Sequence, residues 1–211
     1  MSSTEQLIEN LSHDLQPIKV TACPYKLFGK GVGLVLFYII LMLVIVGVRD
    51  DIFIKLASPL FLAEIIILAF AIIGSLLSAF FLSFPDICQK KSVLFYPVIS
   101  LLLFVVIMVM EYINDSSVNV VVEHSIGCVL AIGMLSFIPA IMIFRTIRKQ
   151  ASTYCCTAGF ITLLTATSIG AIILRFSEKI DSITHIIGWH YLPLIGFGMI
   201  GMLLGKKILK W

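Results

Sequence analysis

The chain has 211 residues, 60% of them hydrophobic and only 13% charged, and its mean hydropathy is +1.09. A water-facing surface needs more charge than this, so a soluble globule is excluded. The formal net charge of +3 is accounted for by loops that flank a membrane and needs no direct nucleic-acid partner.

The first element in chain order is the stretch STEQLIENLSHDLQPI, residues 3–18. Leu7, Ile8, Leu11 and Leu15 recur at helical spacing, Ser3 with Gln6 fits a capping box, and Pro17 stops the pattern, which together predict a short amphipathic helix. Its polar face carries Glu5, Glu9, His13 and Asp14 and is acidic. A helix lying on lipid usually presents Lys and Arg on that face, so an acidic one suits a protein partner better than a lipid surface.

Six apolar runs follow: Val32–Val48, Leu60–Leu82, Val93–Ile113, Ile126–Phe144, Cys155–Leu174 and Ile186–Leu204. At about 1.5 Å per helical residue, each is long enough to cross a hydrocarbon core of about 30 Å. The predicted fold is all-α: a polytopic bundle of six transmembrane helices with a short amphipathic cytoplasmic helix at its N-terminus. Residues 1–31 form the cytoplasmic N-terminal segment, 32–204 the transmembrane domain, and 205–211 a basic cytoplasmic tail. The polar stretch before the first run is acidic and no small-residue cleavage site follows that run, which argues against a removable signal peptide.

The cations divide unequally between the two faces. Lys19, Lys26, Lys30, Lys90, Lys91, Arg145, Arg148, Lys149, Lys206, Lys207 and Lys210 fall on the side of the termini, and only Arg49, Lys55, Arg175 and Lys179 on the other. The positive-inside rule therefore puts both termini in the cytoplasm. Cys23, Cys88, Cys155 and Cys156 then lie at the reducing face, and Cys128 stands alone near the outer one, without an intramolecular disulfide partner.

Within the runs, Gly74 with Ser78, Gly159, Gly170, and Gly201 with Gly205 mark close helix contacts, and Pro97, Pro139 and Pro193 mark kinks. Thr162, Thr165 and Ser168 read as interhelical hydrogen-bonding groups. Phe28, Tyr96, Tyr112, Tyr154, Trp189, Tyr191 and Trp211 near the run ends fit aromatic belts. Gly196, Gly198 and Gly201 spell GxGxxG, but no strand precedes them and they lie inside an apolar run, so helix packing explains them better than a dinucleotide.

Chemistry-bearing residues are few. Glu64, Glu111 and His190 are the ionisable groups inside runs, all within a couple of turns of the outer face, where side chains reach headgroups or water. The midplane thus has no ion-carrying group, against a proton-coupled transporter. Near the outer face His124 and Cys128 share a helix face, while His185 and His190 approach from the sixth run. Thiolate with imidazole is a soft-metal or oxidant-sensing combination, and the alternative is a packing cysteine with solvated histidines. The paired cysteines of a zinc motif are absent, no catalytic set is found, and no cofactor or metal is assigned.

The chain resembles the NrsF-like membrane-embedded anti-sigma factors, negative regulators of sigma factors of the sigma F type. The resemblance runs almost end to end, through LIENLSHDLQPI at 7–18, GVRDDIFIKLASPLF after the first run, GCVLAIGMLSFIPAIMIFRTIRKQA at 127–151, and the C-terminal GMLLGKKILKW. It implies a non-enzymatic protein of the bacterial inner membrane that sequesters an extracytoplasmic-function sigma factor and releases it on envelope stress. Leu7, Ile8, Leu11 and Leu15 would enter a groove on that partner, with Asp14 at its rim and Pro17 ending the helix. The family pattern also has two outer cysteines; Cys128 matches the first, whereas Arg175 to His185 contains none. A small transporter or channel is the runner-up reading, and a membrane enzyme or assembly factor the third.

Overall fold

The computed structural model describes residues 4–6, 23–84, 91–114, 126–150, 152 and 154–210. Residues 4–6 are helical. The remainder of the expected amphipathic helix, with Leu7, Ile8, Leu11, Asp14, Leu15 and Pro17, lies outside the described residues, as do Cys88 and His124.

Among the described residues the regular structure is all helical, without a strand: α1 Pro24–Val46, α2 Ile52–Leu56, α3 Pro59–Leu82, α4 Phe95–Asn114 after a 3-10 turn at Lys91–Leu94, α5 Ile126–Arg148, α6 Cys155–Ser177 and α7 Ile183–Ile208. All but α2 are long and apolar enough to cross a membrane, which makes six such helices among the described residues. Their limits overrun the apolar runs, because a helix needs only its own hydrogen bonds to continue past the hydrocarbon. Thus α1 starts at Pro24 rather than near Val32, and α5 continues to Arg148, where Arg145 and Arg148 oppose the negative end of its dipole. Pro24 and Pro59 occupy the first turns of α1 and α3, where an N–H is not needed. Gly47, at φ +91, ends α1 in a backbone conformation that a side chain would strain.

The bundle is built around α6, 78% of whose apolar window is buried, against 11% for α1. Around α6 stand α3, α5 and α7. Against α7 the approach is set by glycine: a Cβ on Gly159 would lie 2.2 Å from Gly201 O, and one on Gly205 2.3 Å from Cys155 O. On the other flank, a Cβ on Gly170 would meet Ile132 O at 2.8 Å. Lipid tails are as apolar as these helices, so the gain comes from dense van der Waals contact at such close crossings rather than from hiding surface from water. In the GxGxxG run, Gly198 faces the Phe160 ring and Gly201 the backbone of Gly159, which accounts for two of its three glycines by packing; nothing lies within 4 Å of a Cβ on Gly196.

Pro139 sits inside α5 and cannot donate to Leu135 O, four residues back. That carbonyl is satisfied from another helix: Tyr38 of α1 donates its hydroxyl to Leu135 O at 2.7 Å. This single bond also anchors the least buried helix. Ser78 similarly donates to Val93 O at 2.7 Å, joining α3 to the start of α4. The interhelical role expected of Thr162, Thr165 and Ser168 is not found; they donate to Ala158 O, Ile161 O and Leu164 O of α6 itself, at 2.7, 2.7 and 2.8 Å. A hydroxyl on a helix reaches the carbonyl four residues back without needing a neighbour.

Cys155 Sγ donates to Leu209 O at 3.3 Å and the Tyr25 and Phe81 rings meet edge-on at 5.2 Å, gathering the starts of α1 and α6 and the ends of α3 and α7 at one end of the bundle. The opposite end, called the far end below, holds the loops 47–58 and 178–182.

Candidate functional site

Short connections force charged residues together at the far end. The loop from α6 to α7 has only five residues, Glu178 to Ser182, and the turn after α1 is held to the last turn of α6 by Arg49 N–H donating to Phe176 O at 3.0 Å. Arg49 is 3% exposed and makes two paired contacts. Its guanidinium donates to Asp51 Oδ1 and Oδ2 at 2.6 and 2.8 Å and to Asp181 Oδ1 and Oδ2 at 2.9 and 2.8 Å. Lys55 Nζ lies 2.7 Å from Asp181 Oδ2, and Arg175 Nη1 donates to Asp181 Oδ1 at 2.9 Å. One carboxylate from the α6–α7 loop is thereby shared by cations of three segments.

Arg175 reaches deeper as well. Its Nε donates to Glu64 Oε1 and Oε2 at 3.0 and 3.2 Å and its Nη2 to Oε2 at 3.1 Å, while the guanidinium lies 4.9 Å from the centre of the Phe61 ring. Tyr191 donates its hydroxyl to the same carboxylate. Glu64 is 0% exposed, so it does not reach headgroups or water as its place near the run end predicts; it is enclosed and paired. Tyr191 is likewise buried and belongs to this network instead of an aromatic belt. The three cations Arg49, Lys55 and Arg175 face the three carboxylates Asp51, Asp181 and Glu64, so the lattice is neutral, as a low-dielectric site requires. Burial alone would raise the Asp181 carboxyl, but the hydrogen bonds from Arg49, Lys55 and Arg175 outweigh it and hold Asp181 well below the usual carboxylate range. A polar cleft lined by Lys55, Ser58, Phe61, Glu111, Arg175 and Asp181 opens over this lattice.

Beside it lies a second cluster. Cys128 at the start of α5, Glu178 just after α6, and His185 and His190 of α7 bring their ligand atoms within 4.8 Å of one another. Cys128 Sγ is 3.3 Å from Glu178 Oε1 and 3.6 Å from His185 Nε2; His185 Nε2 is 3.6 Å from Glu178 Oε1; His190 Nε2 is 2.9 Å from Glu178 Oε2. All but Glu178 are almost fully buried, so the solvated histidines of the alternative sequence reading are not found.

The convergence of the two histidines has a local cause. They are five residues apart, which on an α-helix separates their directions by roughly 140°. Here Ile186–Tyr191 forms a π-helical turn, in which Leu192 N–H donates to Ile187 O, five residues back. Such a turn brings residues five apart nearly into line, and π turns recur at functional positions. The rings consequently face each other edge-on, with centroids 5.3 Å apart.

Of the residues singled out from sequence, Cys128 is in this cluster, and the segment that lacks the second outer cysteine supplies Glu178 in contact with it. His124 lies outside the described residues. Glu178 was not anticipated, because one acidic residue in a polar loop has no motif; the one available sign was its place in the five-residue link opposite Cys128.

The family model described as NrsF, negative regulator of sigma F, matches residues 11–211. The chain belongs to this family. No curated protein and no solved structure matches it. Membership in NrsF carries negative regulation of sigma F with it, and the match takes in all six long helices together with both far-end clusters.

Proposed function

We propose that this NrsF-family protein is an anti-sigma factor that holds an extracytoplasmic-function sigma factor at the bacterial inner membrane and releases it on envelope stress. The observation that carries the reading is the family match over residues 11–211, which includes the second half of the acidic amphipathic segment, with Leu11 and Leu15, as well as the helical bundle. The bundle supplies the anchor. Its far-end cations Arg49, Lys55, Arg175 and Lys179 are each paired with a carboxylate, whereas Lys26, Lys30, Arg145, Arg148, Lys206 and Lys207 have none among the described residues. The excess of cations at that end suits the anionic cytoplasmic leaflet, which supports cytoplasmic termini.

In this orientation residues 4–18 face the compartment where a sigma factor resides. Leu7, Ile8, Leu11 and Leu15 enter a hydrophobic groove on that partner, and Glu9 and Asp14 meet basic residues at its rim. Burying one leucine contributes roughly 1.5–3 kcal/mol. Replacing both Leu11 and Leu15 by Ala therefore weakens binding by at least about tenfold, at 1.4 kcal/mol per decade. The test expresses the double variant, confirms its membrane insertion, and measures co-purification of the sigma factor and transcription of its regulon. Normal retention with a silent regulon overturns the assignment of this segment.

A further inference from the structure

We propose that Cys128, Glu178, His185 and His190 form a four-ligand site for one borderline divalent cation, of which zinc is the type. The inference stands apart from the sigma-factor reading, because it concerns the chain alone.

Geometry is the first argument. In a tetrahedral zinc site the bonds are about 2.3 Å to sulfur, about 2.0–2.1 Å to imidazole nitrogen and about 2.0–2.2 Å to carboxylate oxygen, which sets the edges between ligand atoms at about 3.3–3.6 Å. The observed separations are 3.3 Å from sulfur to carboxylate, 3.6 Å from sulfur to imidazole and 3.6 Å from His185 to carboxylate. The contact between His190 Nε2 and Glu178, at 2.9 Å, must open by a few tenths of an ångström, and the edges from His190 to Cys128 and His185, which lie within 4.8 Å, draw in on binding. Four side chains from three segments thus already converge, with their ligand atoms within 4.8 Å of one another.

The second argument is an unmet need. His190 is 0% exposed, and among the described residues neither of its ring nitrogens has a hydrogen-bond partner. Nε2 is close enough to Glu178 Oε2 to donate to it, but the carboxylate does not lie in the direction that makes a hydrogen bond. A buried imidazole in that state loses its hydration without replacement. A cation between Nε2 and the carboxylate supplies the missing partner. The π turn that aims His185 and His190 at one point is the third argument, since an uninterrupted α-helix would separate them.

Ligand type selects the ion. One thiolate, two imidazoles and one carboxylate suit zinc and its cobalt substitute, not the all-oxygen preference of calcium or magnesium. Binding replaces the Cys128 thiol proton, which leaves to solvent, by a metal–sulfur bond; the cation's two positive charges then balance one thiolate and one carboxylate. A neutral centre is what a buried position tolerates. With four protein ligands no coordination position remains for substrate, so the centre ties α5, the α6–α7 loop and α7 together instead of catalysing a reaction.

The test uses the full-length protein in detergent, reduced and stripped with chelator, titrated with cobalt(II). One cobalt per chain should give the strong visible bands of tetrahedral coordination and a near-ultraviolet thiolate-to-cobalt band, and zinc should bleach both. Cys128→Ser should lose the near-ultraviolet band, and His190→Gln should weaken binding at least tenfold. Glu178→Gln, nearly isosteric, should also weaken it and serves if another variant does not elute as a folded species. Absence of binding to the wild-type chain, a pale octahedral spectrum, or an unaltered spectrum in Cys128→Ser overturns the proposal.

Discussion

Replacing Arg175 by Leu offers the sharpest test of the far-end lattice. The substitution removes three hydrogen bonds to Glu64 and one to Asp181, and leaves Glu64, with no exposed surface, in contact with the Tyr191 hydroxyl but without a cation. Asp181 keeps Arg49 and Lys55, so the damage concentrates at Glu64. Stranding one member of a buried pair costs about 3–5 kcal/mol. At about 2–4 °C per kcal/mol for a chain of this size, the melting temperature should fall by roughly 6–20 °C. The double variant Glu64→Leu with Arg175→Leu removes both charges and should recover most of that loss, because an apolar pair replaces an ion pair at little net cost. Thermal melts of the purified protein in one detergent, followed by the fraction remaining monodisperse, measure all three. An Arg175→Leu protein that melts with the wild type, or a double variant less stable than the single one, refutes the reasoning.

Two further predictions concern the bundle. Gly159→Ala places a Cβ 2.2 Å from Gly201 O and 2.6 Å from Gly205 Cα, so α6 and α7 must separate; overpacking of about 1–3 kcal/mol should exceed the helix-propensity gain of about 1 kcal/mol and lower the melting temperature, whereas Gly196→Ala, with open space, should leave it equal or higher. Reporter fusions after Lys30, Arg148 and Trp211 should read as cytoplasmic and one near Ser117 as outside; a C-terminus on the outer side would contradict the six-crossing arrangement.

Composition and order along the chain were enough to recognise six helices long and apolar enough to cross a membrane, since a backbone in lipid must bond to itself and a run of apolar residues leaves helix as the solution. The glycines at 159, 201 and 205 were legible for a related reason, because small side chains in a lipid-embedded run have few uses besides close approach. Serine and threonine in α6 misled, since a hydroxyl satisfied by its own helix looks identical in sequence to one that bridges two. The extents of α1 and α5 were also underread, because hydropathy reports where lipid ends and not where the helix does.

The sites were a different matter. Sequence alone placed Glu64, Cys128, Arg175 and His190 near one face, but it left them in reach of headgroups or water rather than of one another. Only the tertiary structure decided that Arg175 belongs to Glu64, 111 positions away, that Tyr38 serves the carbonyl Pro139 leaves open, and that Cys128 meets Glu178 across 50 residues. Local patterns carry propensity and period, whereas partners for buried charge are chosen by which helices pack side by side. The π turn belongs with these: the sequence IIGWHY has no motif that marks it, and the extra width that turns His185 and His190 to one point is seen only in the backbone hydrogen bonds.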